Sequence, residues 1–229
     1  QITATIPSGA TAGTTAPIVL VDGDCADAVG DAFTVPFPPG SNSLLMYQSF
    51  ETGTAGCWNY SGGNVNTETA FDGARSLRVG RSGQSNTATF DAVDVSGISN
   101  VQLRIRHRVQ PQSNPSSGEG MDSREGAVIQ VRYNGGPWQF AGGVGGFGNH
   151  NYNWTASSGG SSSSSSGCNV YQMPNPLVVN VPAGTNTVQF RVRSVRDGSC
   201  STYNSEMNNG IAANYDRIDE GFFIDDVRD

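Results

Sequence analysis

VQLRIRHRV, residues Val101–Val109, puts Val101, Leu103, Ile105, His107 and Val109 on one side of an extended chain and Gln102, Arg104, Arg106 and Arg108 on the other. Side chains alternate across a strand, so this period of two predicts a half-buried β-strand and not a helix of 3.6-residue repeat. VQFRVRS, Val188–Ser194, repeats it, with Val188, Phe190 and Val192 opposing Gln189, Arg191 and Arg193. Further strand-like segments lie at Leu44–Phe50, Ser76–Arg81, Thr87–Phe90, Ala127–Tyr133, Pro137–Ala141, Leu177–Val181 and Gly221–Val227, nearly all bounded by turn residues. Asn134, Gly135 and Gly136 sit between two of them and supply the positive φ that a hairpin needs. About nine or ten antiparallel strands without a helical period between them predict an all-β fold, an antiparallel two-sheet sandwich of jelly-roll type with long loops.

Composition narrows the function classes. The 229 residues include 30 glycines and 11 prolines, only 14% are charged, and all 13 basic residues are arginine. With no lysine, Schiff-base chemistry and lysine nucleophiles are excluded. A net charge of −7 has the wrong sign for wrapping nucleic acid or an anionic membrane. No stretch approaches the roughly 18 apolar residues of a membrane span, so no membrane insertion is expected. Residues 1–43 read as an N-terminal arm, in which Ile2, Ala4 and Ile6 alternate, followed by an acidic loop; residues 44–229 read as the sandwich. The start at Gln1 suits a mature exported chain. Cys25, Cys57, Cys168 and Cys200 show no metal-ligand spacing, and an even, widely spaced set suits two disulfides and an extracellular or cell-surface location. Three pairings are possible; chain order favours Cys25 with Cys57 and Cys168 with Cys200.

Two surfaces attract attention. The connection from Gly142 to Asn175 carries Phe147, His150, Tyr152, Trp154 and Tyr171, with Trp138 just before it. Aromatic faces stack on sugar rings, so this is a candidate glycan site; the alternative is a satellite core folded beneath a long loop. Arg104, Arg106, Arg108, Arg191 and Arg193 all take outward positions. If their strands are neighbours, they form a cationic stripe for an acidic polysaccharide or the acidic surface of another copy; otherwise they are a solvated sheet face.

MYQSFETGTAGCWNY from Met46, GARSLRVG from Gly73, the run from Ala88 to Val109, AVIQVRYNGG with Trp138, VQFRVRS and the closing FFIDDV resemble, in order and spacing, the MAM, cleaved-adhesin and carbohydrate-binding jelly rolls of secreted proteins. The resemblance covers roughly residues 45–229. It departs from MAM domains in lacking a cysteine just before Phe50, although Cys25 could serve Cys57 instead. It implies a sandwich, an adhesive or glycan-binding role, and a structural calcium (Ca2+) held by Glu51 together with Asp226 or Asp225.

Catalysis is not expected. Asp225 and Asp226 are adjacent on a strand, leave opposite faces, and so cannot flank one glycosidic bond. There is no nucleophile elbow, and His107 falls on the inward alternation. The leading expectation is a secreted, non-enzymatic carbohydrate-binding adhesion module. The alternative is a subunit of an extracellular filament joined to other copies of itself through the N-terminal arm, and a glycan-acting hydrolase comes third.

Overall fold

The computed structural model describes residues 46–51, 58–80, 87–110, 124–146, 152–155, 168–196, 199–209 and 221–228. The N-terminal arm, the acidic loop, Cys25, Cys57, Phe147, His150 and the side chain of Asp226 lie outside the described residues. In chain order the elements are β1 (Tyr47–Gln48), β2 (Tyr60–Gly62), β3 (Asn64–Asn66), β4 (Ser76–Val79), β5 (Thr87–Phe90), β6 (Val93–Asp94), β7 (Gln102–Gln110), β8 (Glu125–Tyr133), β9 (Gln139–Gly145), β10 (Leu177–Asn180), β11 (Thr187–Arg196), α1 (Cys200–Asn209) and β12 (Gly221–Arg228).

The strands form two antiparallel sheets. Sheet A runs β10-β7-β12-β4-β3 with β1 also on β12, and sheet B runs β2-β5-β11-β8-β9 with β6 also on β11. The alternation read in the sequence decides what lies between them. Leu103, Ile105, Val109, Phe222, Ile224, Leu77 and Val79 of sheet A meet Phe90, Val188, Phe190, Val192, Ile129 and Val131 of sheet B in one core. Phe90 stacks on Phe190 at 4.0 Å, and Trp58 meets Phe190 edge-on at 5.1 Å while its Nε1 donates to the Asp91 carbonyl. The hairpin between β8 and β9 forms as its residues predict, with positive φ at Asn134 and Gly135. Asn134 Oδ1 also accepts from the Asn186 and Thr187 amides, which fixes the turn against the start of β11.

The helix α1 was not legible as one. It lies in the connection after β11, where only Tyr203 and Met207 are apolar at helical spacing, and both are fully buried with Val128 and Val195 on the outer face of sheet B. The sheet is thin beneath it: a Cβ on Gly143 would lie 2.8 Å from Met207 Cε, and one on Gly126 would lie 3.0 Å from Met207 Sδ. The Cys168–Cys200 disulfide ties the start of the helix to the segment leading into Tyr171. Among the described residues no helix is long and apolar enough to cross a membrane.

Polar chemistry completes sheet A where regular pairing stops. β10 pairs β7 only from Leu177↔Ile105 to Asn180↔Gln102, and Tyr152 bridges Val109 farther along. Between them the Asn175 side chain acts as a strand residue, accepting from the His107 amide through Oδ1 and donating through Nδ2 to the carbonyls of His107 and Trp154. His107 is inward-facing and fully buried. The Pro174 carbonyl 2.8 Å from Nε2 can only accept, so Nε2 carries the proton and Nδ1 accepts from the Tyr152 hydroxyl. Asn175→Ala would leave buried amide and carbonyl groups without partners. It is expected to lower unfolding free energy by about 3 kcal/mol in urea titrations.

Candidate functional site

Part of the outer face of sheet A, over β4, β12 and β7, is covered by residues 67–75, a strap between β3 and β4. Glu51 Oε1 accepts from the amides of Ala74 and Arg75, and Asp225 Oδ2 from those of Phe71 and Asp72. Glu68 pairs with Arg78, the Arg106 guanidinium lies 4.2 Å from the Phe71 ring centroid, and Thr69 Oγ1 accepts from both Arg108 and Trp154. Gly73 turns the strap at φ +68°, and a Cβ there would lie 2.5 Å from the Glu51 carboxylate. Beneath the strap this face is a fastened layer, while Val178 of β10 stays exposed beyond it.

Two expectations from the sequence are corrected by this geometry. The arginines do not form one stripe: β7 lies in sheet A and β11 in sheet B, so Arg104, Arg106 and Arg108 face away from Arg191 and Arg193. Arg106 and Arg108 are engaged by the strap, and Arg193 is buried. Nor do Tyr152, Trp154 and Tyr171, the described aromatics of the long connection, share a surface. Tyr152 is core because its hydroxyl satisfies His107, and Trp154 is only 6% exposed because it seats on Phe71 and Thr69 over sheet A.

The calcium implied by the resemblance needs six to eight oxygens around one point. Among the described residues no three His, Cys, Asp or Glu side chains form such a group. The oxygens with which Glu51 and Asp225 face the strap are filled by N–H donors. Glu51 and Asp225 each spend one carboxylate oxygen on strap amides, and the Asp226 side chain and Gly53 lie outside the described residues.

Sheet B differs. Helix α1 covers one end of its outer face and leaves the other open. On the open part the register sets Gln189 beside Arg132, and Arg191 between Gln130 and Thr89; Ser61 and Phe140 flank that second row. The Trp138 ring lies against both arginines, its centroid 4.6 Å from the Arg132 guanidinium and 4.3 Å from that of Arg191. Glutamines orient these two cations: Arg132 Nε donates to Gln189 and Arg191 Nε to Gln130, while Gln189 donates onward to the Phe90 carbonyl. Phe140 is 43% exposed, and its ring centroid is 6.1 Å from that of Tyr171, whose hydroxyl donates to the Asn204 carbonyl of α1. The result is a sheet platform with two half-open aromatic stations, half-buried Thr89, Arg132, Gln189 and Arg191 over buried Gln130, and a helix along one margin.

Of the sequence candidates, Trp138, Tyr171 and Arg191 meet on sheet B. Arg132, Gln130, Gln189, Thr89 and Phe140 were missed, although the outward alternation of β8 already singles out Gln130 and Arg132. The chain matches no family model, no curated protein and no solved structure.

The strap has a pH signature. Burial pushes the Asp225 carboxyl up to about 7 against the pull of the Phe71 and Asp72 amides, with the Glu51 and Asp72 carboxylates raising it further. The unfolded chain ionises near 3.8, so between these values the folded state holds a proton that the unfolded state has lost. The associated stability is whole below about 3.8 and is lost as pH rises to about 7. Asp225→Asn keeps an acceptor for both amides and removes the charge. Melting temperatures taken from pH 4 to 8 should show the variant gaining on the parent across that window; a constant difference would contradict the assignment.

Proposed function

We propose that this chain is a secreted or cell-surface, non-enzymatic adhesion module that binds carbohydrate on the open part of sheet B. The reading rests on one juxtaposition: the Trp138 ring braced by two guanidinium groups beside exposed Phe140, over a floor of Gln, Thr and Arg side chains. A pyranose has an apolar C–H face and a rim of hydroxyls, and it is recognised by an aromatic ring with fixed donors and acceptors beside it. A flat sheet presents several such stations in a row, which suits a chain polysaccharide.

Other features support the non-catalytic and exported parts of the reading. Three described groups with proton-transfer chemistry serve structure: His107 is buried and hydrogen-bonded through both nitrogens, while Asp225 and Glu51 hold the strap. The Cys168–Cys200 disulfide suits an oxidising compartment. The resemblance of residues 45–229 to adhesive and carbohydrate-binding modules points the same way.

The reading is tested on an immobilised glycan panel with Trp138→Ala and Phe140→Ala. Each is expected to weaken binding roughly tenfold, the scale of one lost aromatic stacking contact, with the melting temperature nearly unchanged. A parent protein that binds no member of the panel, or variants that bind as well as the parent, would overturn it.

A further inference from the structure

The charge on this platform is unusual for the chain that carries it. The protein is acidic, at −7, yet none of the residues paired in the two rows that hold Trp138's partners is a carboxylate: Gln189 stands beside Arg132, while Thr89, Arg191, Gln130 and Phe140 follow one another in the second, and exposed Asp91 lies just past the end of β5. The next row carries Asp94 opposite Thr187, and its Oδ1 accepts from the Ser96 amide.

The agent that orients the arginines matters. A carboxylate would fix a guanidinium and cancel its charge together; a glutamine fixes it and leaves the charge standing. Arg132 is held in this second way, through Nε on Gln189 Oε1 at 2.5 Å, and Gln189 is itself anchored by a 2.6 Å bond from Nε2 to the Phe90 carbonyl. Among the described residues Arg132 forms no ion pair with an acidic side chain. Its guanidinium lies 4.6 Å from the Trp138 centroid, close enough for one sugar to reach the ring and the cation together.

We propose that the ligand of this platform is an acidic polysaccharide, with Arg132 as the residue that selects it. A sugar ring stacks on Trp138 while its carboxylate or sulfate group takes the remaining N–H donors of Arg132. This inference rests on the glycan-binding reading of the same face and specifies its chemistry. Carboxylate and sulfate share the planar or tripodal oxygens that a guanidinium fork accepts, so the shared feature is an anionic oxygen group on a pyranose.

The test uses the whole chain and three soluble polymers: polygalacturonate for carboxylate, dextran sulfate for sulfate, and dextran as the neutral control. Affinity electrophoresis or calorimetry compares the parent with Arg132→Gln, Arg132→Lys and Trp138→Ala, each checked for an unchanged melting curve. The parent should bind at least one acidic polymer, more weakly as ionic strength rises. Arg132→Gln should cost roughly tenfold or more on the acidic polymer and nothing on dextran. Arg132→Lys, which keeps the charge and loses the fork, should fall between and serves if the glutamine variant does not fold. Trp138→Ala should weaken every interaction. Binding to dextran alone, or acidic binding indifferent to both Arg132 variants, would overturn the acidic assignment while leaving the glycan face standing. Binding to none of the three, and to no neutral glycan of the wider panel, would overturn both.

Discussion

Each sheet of a sandwich has two faces and can bury only one against its partner, and the fate of the other face organises this protein. The inner faces are settled by hydrophobic alternation, with Leu103, Ile105 and Phe222 on one side and Phe190, Val192 and Ile129 on the other. The outer face of sheet A is covered over β4, β12 and β7 by the strap, which brings its own amide donors to two carboxylates of the surrounding framework. The outer face of sheet B is closed over part of its length by α1, seated where the strands carry glycine. What remains open is a stretch whose side chains are large, planar or charged. It is defined as much by what covers the rest of the molecule as by its own residues.

Polar groups inside the sandwich are handled one at a time, and their electrostatics oppose one another. Burial drives the His107 imidazole down to about 4, with Arg106 acting in the same sense and the Pro174 carbonyl against it. The folded state therefore lacks a proton that the unfolded chain carries below about 6.5, and stability from this group is lost as pH falls through that range. The Asp225 dependence runs the other way, so across mildly acid pH the two slopes offset each other. Neutral imidazole within one sheet and a raised carboxyl on its outer side together flatten the pH response of a fold whose surface charges are few.

The long strands were legible because their signal is local. β7 and β11 alternate cleanly over many residues, and the Asn134-Gly135-Gly136 turn carries its own conformational mark. β2, β3 and β6 were not, because two or three residues cannot display a period. α1 escaped because eight of its ten residues are polar or small and its two apolar anchors, Tyr203 and Met207, gain meaning only from the glycines beneath them. The platform was half visible for a related reason. Trp138 and Arg191 stand out as residue types, but whether two arginines share a face depends on which sheet each strand joins, and that is set by non-local pairing. Arg104 and Arg191 look equivalent in sequence and lie on opposite sides of the molecule.

The glycines of β8 and β9 have a consequence for how this protein tolerates change. Glycine ordinarily weakens a strand, and replacing it with a β-branched residue is a common way to improve one. Here that rule inverts at Gly126, where a β-carbon would lie 2.9 Å from the Val144 carbonyl oxygen, 3.0 Å from Met207 Sδ and 3.1 Å from the Tyr203 hydroxyl; at Gly143 it would meet the flexible end of Met207. A substitution that made the strand better in isolation would crowd Tyr203 and Met207, the two anchors that seat α1 on Val128 and Val195. Mutational tolerance at these positions is therefore dictated by layer thickness, a property of neither strand nor helix alone.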